Sequence, residues 1–445
     1  MIHPSAVRIY GGTGVLNGEL VPPPDKSISH RALFLSLLVQ GQSVITDLLH
    51  SQDTEATKRM VVALGATVSH DGANTLIESA GASSLREPDG MLDCGNSGTT
   101  ARIGLGVLSH LNGFAALTGD PSLIRRPMNR IVAPLRTIGA VIDGRDNGNR
   151  FPLAIRGGCV KGGDVILSVA SAQVKSAILI AGLGAPGRVT VTEPMQTRSH
   201  TEEMLKLAGV ELTRELLDDG RVRYELPPGQ LPRPLSITVE RDPSSAAFFV
   251  CAAAAVPGSH LEVQGTYAGR ERTGYLDVLA RMGAKITREA ISPTREHLVI
   301  EGAELEGVLV SPTEVPSMID EFPALCVAWA FAKGSSEISG AEELRVKESD
   351  RIGAMASLLS SLGATVEEFE SGLRVAGVAE RMRPGELLVD PHHDHRVAMA
   401  SCLLGAVSHT PVTLAHPSEI ATSYPGFMDD LIRLTGVSVR APHEL

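Results

Sequence analysis

One short phrase returns six times along this chain. It reads LGATV at Leu64, IGAVI at Ile138, AGVEL at Ala208, MGAKI at Met282, LGATV at Leu362 and TGVSV at Thr435. Its glycines, Gly65, Gly139, Gly209, Gly283, Gly363 and Gly436, are separated by 74, 70, 74, 80 and 73 residues. A fixed period of this kind means one supersecondary unit used repeatedly. Each glycine closes a helical pattern and precedes a β-rich run, as a left-handed C-cap does. The helical patterns opening at Asp53, Ser199 and Ser349 are examples, each starting on an N-cap residue type.

A second helical pattern recurs in the same frame, opening at Ser27, Asn96, Ser171, Asp242, Pro316 and His392. It is rich in Ala, Gly, Ser and Leu and apolar on every side after a polar start, which marks a buried helix. The repeating unit therefore reads buried helix, strand, amphipathic helix, strand, strand. The last copy lacks its final strand, while the N-terminal stretch holds strand-like VRIYGG and NGELV without a helix. The N-terminus is thus expected to complete the C-terminal half. This predicts an α/β protein of two three-unit domains, 1–22 plus 241–445 and 23–240, facing each other across a cleft. The proline-marked segments Val21–Asp25 and Arg241–Pro243 are the expected crossings. An open six-unit solenoid fits less well, because polar capping repeats are not evident.

Composition narrows the function. Aromatic residues make up 3% of the chain, with one Trp, which argues against stacking platforms for single-stranded nucleic acid. A formal charge of −11 argues against a general polyanion binder. A small anion held by a few clustered cations stays open. The start, MIHPSAVRIYGGTG, has no apolar core of a signal peptide, and no apolar run approaches membrane-spanning length. The five cysteines are scattered without a CxxC pair, so neither a zinc ribbon nor a disulfide framework is expected. These features predict a cytoplasmic protein without nucleic-acid or membrane partners.

Polar and cationic residues gather where the buried helices begin, and there free N–H groups and the helix dipole favour an anion. Lys26-Ser27 with Arg31 opens the first, Gly95-Asn96-Ser97-Gly98 with Arg102 the second, Ser171-Ala172-Gln173 the third and Asp394-His395-Arg396 the sixth. The junction before the amphipathic helix is also basic, at Arg125-Arg126, Arg198, Lys347 and Arg351. With 8 lysines against 32 arginines, Lys26 and Lys347 stand out. Each segment also has a plain structural explanation. DKSISHR is a capped helix start, and CGNSGTT lacks the GK[ST] of a P-loop. The histidines of DPHHDHR have no second ligand cluster to make a metal site, and Ser171 has no triad partners.

Two carboxylates resist such explanations. Asp320 is expected four residues into the apolar helix SMIDEFPALCVAWAFA, where an ionised group is costly unless it faces a polar cleft. Glu348 lies between Lys347 and Ser349 at the head of the next helix. Two acids among cations suit proton transfer on an anionic substrate.

The segments PDKSISHRALFLSLL, DCGNSGTTARIGLGVL, GDPSLIRRPM, SAQVKSAILIAGL, EPMQTRSHTEEML, SMIDEFP, LRVKESDRIGAMA, HHDHRVAMA and IATSYPGF resemble, in order, those of the 5-enolpyruvylshikimate-3-phosphate synthase family. SAQVKSA with TRSHTEEML is more similar to the bacterial class often called class II. The resemblance spans almost the whole chain. It implies an inside-out α/β barrel-like enolpyruvyl transferase fold, two domains each of three βαβαββ repeats, and transfer of enolpyruvyl from phosphoenolpyruvate to shikimate 3-phosphate. It further implies that Lys26, Ser27, Arg31, Ser171, Ala172, Gln173, Arg198, Asp320 and Lys347 hold shikimate 3-phosphate. Phosphoenolpyruvate falls to Lys26, Gly98, Arg126, Gln173, Arg351 and Arg396. Asp320 and Glu348 are the implied acid–base pair, assisted by Lys26, with no cofactor or metal, in a monomer.

Two positions qualify the carry-over. Thr422 stands where many members of the family place a lysine near phosphoenolpyruvate. Gly98 stands where glyphosate-insensitive members often carry Ala, so the resemblance implies inhibition by glyphosate. Among alternatives, UDP-N-acetylglucosamine 1-carboxyvinyltransferases share the repeat and the chemistry, but normally carry a reactive Cys, or sometimes Asp, in a loop that here reads LTGDPSLIRRPMNR and has no Cys. A non-catalytic module binding small anions would need Asp320 and Glu348 to be incidental.

Overall fold

A computed structural model of the chain describes residues 6–378 and 385–441; the extreme ends of the first expected domain, residues 1–5 and 442–445, lie outside the described residues. Six four-stranded sheets are present among the described residues. They share one plan, seen in the second repeat. A two-residue strand, Leu92–Asp93, runs parallel to Phe114–Thr118, and the buried helix Gly98–Leu108 makes the crossover between them. Helix Asn129–Thr137 follows, and then strands Val141–Gly144 and Arg150–Arg156 fold back as an antiparallel pair. The repeat is therefore βαβαββ. It has one strand more than the residue pattern suggested, because strands two to four residues long carry almost no periodicity.

The chain divides into two compact units, Pro24–Val239 and Met1–Pro23 with Glu240–Leu445. In Pro24–Val239, the first repeat borrows its leading strand from the far end of the unit, since Ser236–Thr238 pairs in parallel with Gln40–Thr46. In the other unit the N-terminal segment does this twice. Ala6–Gly11 lies between Val412–Ala415 and Val437–Arg440, completing the sixth sheet. Asn17–Leu20 then pairs in parallel with His260–Tyr267 and leads the fourth.

The all-apolar helices are buried as their composition demands. Every residue of Pro243–Ala254, Phe322–Trp329 and His395–Ser408 is buried, as are most of Lys26–Leu38, Gly98–Leu108 and Ala172–Ala181. The amphipathic helices bury one face each, as Gly274–Arg281 does with Tyr275, Leu276, Val278 and Leu279. All six repeated glycines take positive φ, between +70° and +109°. That left-handed turn carries the chain from the outer helix into the hairpin and excludes a β-carbon at little cost only for glycine.

Candidate active site

Within Pro24–Val239, the three buried helices start in different ways. Asp25 caps the first, its carboxylate accepting from the Ile28 N–H at 2.8 Å. Ser97 caps the second through the Thr100 N–H at 3.0 Å. At the third, the Ser171 side chain makes no capping hydrogen bond.

The cations lie around these starts. Lys26 Nζ is 2.9 Å from Asp53 Oδ2. Arg31 is 2% exposed; its Nε donates to Thr201 Oγ1 at 2.7 Å, and its terminal nitrogens donate to the Ser27 carbonyl at 2.9 Å and Ser176 Oγ at 3.0 Å. Arg126 donates to Asn96 Oδ1 at 2.7 Å and Ser122 Oγ at 3.2 Å. Arg102 donates to Gln173 Oε1 at 2.8 Å, and Gln173 Nε2 donates to Thr99 Oγ1 at 3.0 Å. Gly98 sits against both guanidinium groups: a β-carbon there would lie 2.8 Å from Arg102 and 3.2 Å from Arg126. Beneath this layer His30 is buried, 2.7 Å from Thr57 Oγ1. Burial, and then the charges of Lys26 and Arg31, hold its imidazole well below the ordinary pKa of 6.5, so it stays neutral and adds no charge of its own.

Within the other unit, Arg351 is the organising residue. Its side chain is 1% exposed. Nε donates to Asp394 Oδ2 at 2.8 Å, one terminal nitrogen to Glu348 Oε2 at 2.5 Å and the other to Asp320 Oδ1 at 3.4 Å. Burial disfavours the guanidinium charge, but Asp394, Glu348 and Asp320 outweigh it and hold its pKa above the usual arginine value. Asp394 also caps its own helix, accepting from the Arg396 N–H at 2.9 Å. Arg396 in turn donates to the Asp320 carbonyl at 2.8 Å. Lys347 Nζ stands 3.7 Å from Asp320 and 3.2 Å from Glu343.

Asp320 is not inside the helix, as its position in the apolar run suggested. It occupies the short 3₁₀ turn Ile319–Glu321, and the helix begins at Phe322. Pro323 explains the offset: a proline suits a first helical turn and fits badly deeper in. The turn is anchored from behind, where fully buried Glu321 accepts from the Ser244 hydroxyl, and Ser244 Oγ accepts from Arg272 at 2.7 Å.

A sequence pattern for "EPSP synthase (3-phosphoshikimate 1-carboxyvinyltransferase)" matches residues 11–431. The chain belongs to the EPSP synthase family. It is 43% identical over 424 residues to the 3-phosphoshikimate 1-carboxyvinyltransferase of Sulfurihydrogenibium sp., covering 94% of this chain and 97% of that one. It is 44% identical over 430 residues to that of Thermus thermophilus, covering 96% and 98%. A solved EPSP synthase from Acinetobacter baumannii superposes with a TM-score of 0.81 at 35% identity, covering 98% of this chain and 100% of that one. The enolpyruvyl transferase NikO from Streptomyces tendae shares the fold, with a TM-score of 0.76 at 19% identity. The six βαβαββ repeats are thus the enolpyruvyl transferase fold.

Against this family's expected site, the structure brings Asp320, Glu348 and Arg351 into one cluster with Arg396 and Lys347 at its border. It gathers Lys26, Ser27 and Arg31 on one helix start, and Gly98, Arg126 and Gln173 around Arg102. Thr422 is buried at the end of the 3₁₀ turn Pro417–Thr422. Three participants carry no substrate or acid–base role in the expectation from the resemblance: Asp394 and Arg102, noted there only at helix starts, and Asp53. Asp394 reads in the sequence as a helix cap, and its second role on Arg351 depends on packing between repeats. Arg102 lies one turn beyond Gly98, a spacing that the helical period itself makes neighbourly. Among the described residues, no His, Cys, Asp or Glu group is arranged to hold a metal ion, and no helix is long and apolar enough to cross a membrane.

Proposed function

We propose that this chain transfers the enolpyruvyl group of phosphoenolpyruvate to the 5-hydroxyl of shikimate 3-phosphate and releases phosphate, as a cytoplasmic monomer of two domains, 1–22 plus 241–445 and 23–240. The observation that carries the catalytic assignment is Arg351 gripping Asp320 and Glu348 at once. The reaction needs two proton-transfer groups. A proton added to C3 of phosphoenolpyruvate makes C2 electron-poor, and the 5-hydroxyl oxygen bonds to C2 as its own proton leaves. The tetrahedral adduct then loses a proton from C3 as the C2–O bond to phosphate breaks. Asp320 and Glu348 are the acid–base pair, and Lys26 assists.

Both substrates carry a phosphate and a carboxylate, which matches sites rich in arginine and helix N-termini. Shikimate 3-phosphate is assigned to Lys26, Ser27, Arg31, Ser171, Ala172, Gln173, Arg198, Asp320 and Lys347. Phosphoenolpyruvate is assigned to Lys26, Gly98, Arg126, Gln173, Arg351 and Arg396. Addition and elimination at one carbon require no electron sink, so no cofactor is called for.

Phosphate release from phosphoenolpyruvate tests the reading, with shikimate 3-phosphate or UDP-N-acetylglucosamine as acceptor and Asp320→Ala as control. Release with shikimate 3-phosphate alone, lost in the variant, is expected. Release only with the nucleotide sugar would overturn the acceptor. Release with neither would leave a binding module.

A further inference from the structure

A second charged cluster lies inside Pro24–Val239, below the residues assigned to shikimate 3-phosphate. Lys175 is fully buried, with Nζ 2.9 Å from Glu193 and 2.6 Å from Glu202 and 4.5 Å from the centre of the Tyr224 ring. Burial works against its charge, but Glu202 and then Glu193 outweigh that and raise its pKa. A buried ion cluster of this kind is poor value as a stabiliser, because apolar residues of similar volume commonly do as well or better. Its position gives it another use.

Lys175 lies in the first turn of the helix that follows Ser171. Glu193 ends a strand, and its carboxylate accepts from the Thr197 N–H at 3.1 Å and the Thr197 hydroxyl at 2.5 Å. Lys175 Nζ also reaches the Thr197 carbonyl, at 3.5 Å. On the far side of Arg198, Thr201 donates to Ser176 at 2.7 Å and accepts from Arg31. Thr197, just before Arg198, and Thr201, one turn after it, are thus tied to Lys175 and Ser176 of the helix Ala172–Ala181.

We infer that the buried Lys175–Glu193–Glu202 cluster is a positioning device: through Thr197 it fixes Arg198 relative to the Ser171–Gln173 helix start and so sets affinity for shikimate 3-phosphate. This rests on the substrate assignment above. Thr197→Val tests it most cleanly, since it removes one hydroxyl and leaves all three charges in place. Glu193→Gln is the second variant, and Lys175→Met, which strands two buried carboxylates, is expected to fold poorly.

Calorimetric titration of the full chain with shikimate 3-phosphate should show Kd raised about tenfold in Thr197→Val, the scale of one hydrogen bond to a charged group. KM for phosphoenolpyruvate should stay within about twofold, a split that general loosening does not produce. Ile155→Val, a core change in a neighbouring sheet, serves as the stability control and should leave both constants unchanged. In an Arg198→Ala background the Thr197→Val effect should vanish, because the two act in series. Wild-type affinity in folded Thr197→Val and Glu193→Gln, or additive effects with Arg198→Ala, would overturn the inference alone. Failure of the wild-type chain to bind shikimate 3-phosphate would overturn the substrate assignment itself.

Discussion

At the scale of single residues, Arg351 sets the geometry of the proposed acid–base pair. Its planar fork presents separate nitrogens to Asp320, Glu348 and Asp394, which a single ammonium cannot do. Arg351→Lys is therefore expected to lower kcat by about 100-fold or more. It should also destabilise the protein by about 3 kcal/mol, since three carboxylates lose their common partner. Steady-state kinetics with calorimetric melting checks both, and a variant with normal kcat would remove Arg351 from the mechanism. Glu348→Gln keeps the shape and removes the proton site, so kcat should fall by roughly 10² to 10⁴ while shikimate 3-phosphate still binds. At Gly98, an added methyl would meet the Arg102 and Arg126 guanidinium groups and press Arg102 away from Gln173. Gly98→Ala should raise KM for phosphoenolpyruvate about tenfold with a smaller change in kcat, and should weaken inhibition by glyphosate. An unchanged KM would show that this glycine does not govern phosphoenolpyruvate, and an unchanged inhibition constant that it does not govern glyphosate.

At the scale of elements, the network under the Lys26–Leu38 helix has a pH signature. His30 contacts Thr57, Thr57 lies 2.6 Å from Thr100, and Thr100 donates to Ser97 at 2.8 Å. Its folded pKa lies below the ordinary value of 6.5, so the unfolded chain takes up the proton first. Stability should be full above pH 6.5 and fall as the pH drops below it. A melting series from pH 7.5 to 5.5 should show that decline, and His30→Gln should reduce its slope, leaving the share of His110, whose pKa burial also lowers. An equal slope in the variant would assign the acid sensitivity to other groups.

Much of this level is legible in the sequence, because Gly65 and its five equivalents, and the all-apolar helices, are local signals. The strand pair Leu309–Val310 with Ser335–Ile338 is not. Two residues define no period, and only the neighbouring strand makes them a strand. Asp320 stands outside the helix although the apolar run continues across Met318 and Ile319, because Pro323 sets the helix start at Phe322. The Arg351–Asp394 contact joins residues 43 apart through tertiary packing, so no local pattern announces it.

At the scale of the whole molecule, the chain order and the sheet order disagree in an informative way. The N-terminal segment supplies strands to the fourth and sixth sheets, and neither strand pairs within Pro24–Val239. The Asp242 N–H donates to the Pro23 carbonyl at 2.9 Å, so the two ends flanking residues 24–239 are adjacent. Joining Pro23 to Glu240 through Gly-Gly, with 24–239 removed, should therefore need no rearrangement of the remaining three sheets. That shortened protein is expected to unfold in one cooperative thermal transition and to elute as a compact monomer. Deleting residues 1–22 instead leaves Val412–Ala415 and Val437–Arg440 without the strand between them and uncovers an edge of His260–Tyr267, a standing invitation to aggregation. That truncation should yield insoluble or non-cooperative protein. Circular dichroism melts and gel filtration of the two variants decide the matter. A cooperative truncation, or a spliced protein without a transition, would show that these borrowed strands do not define the folding unit.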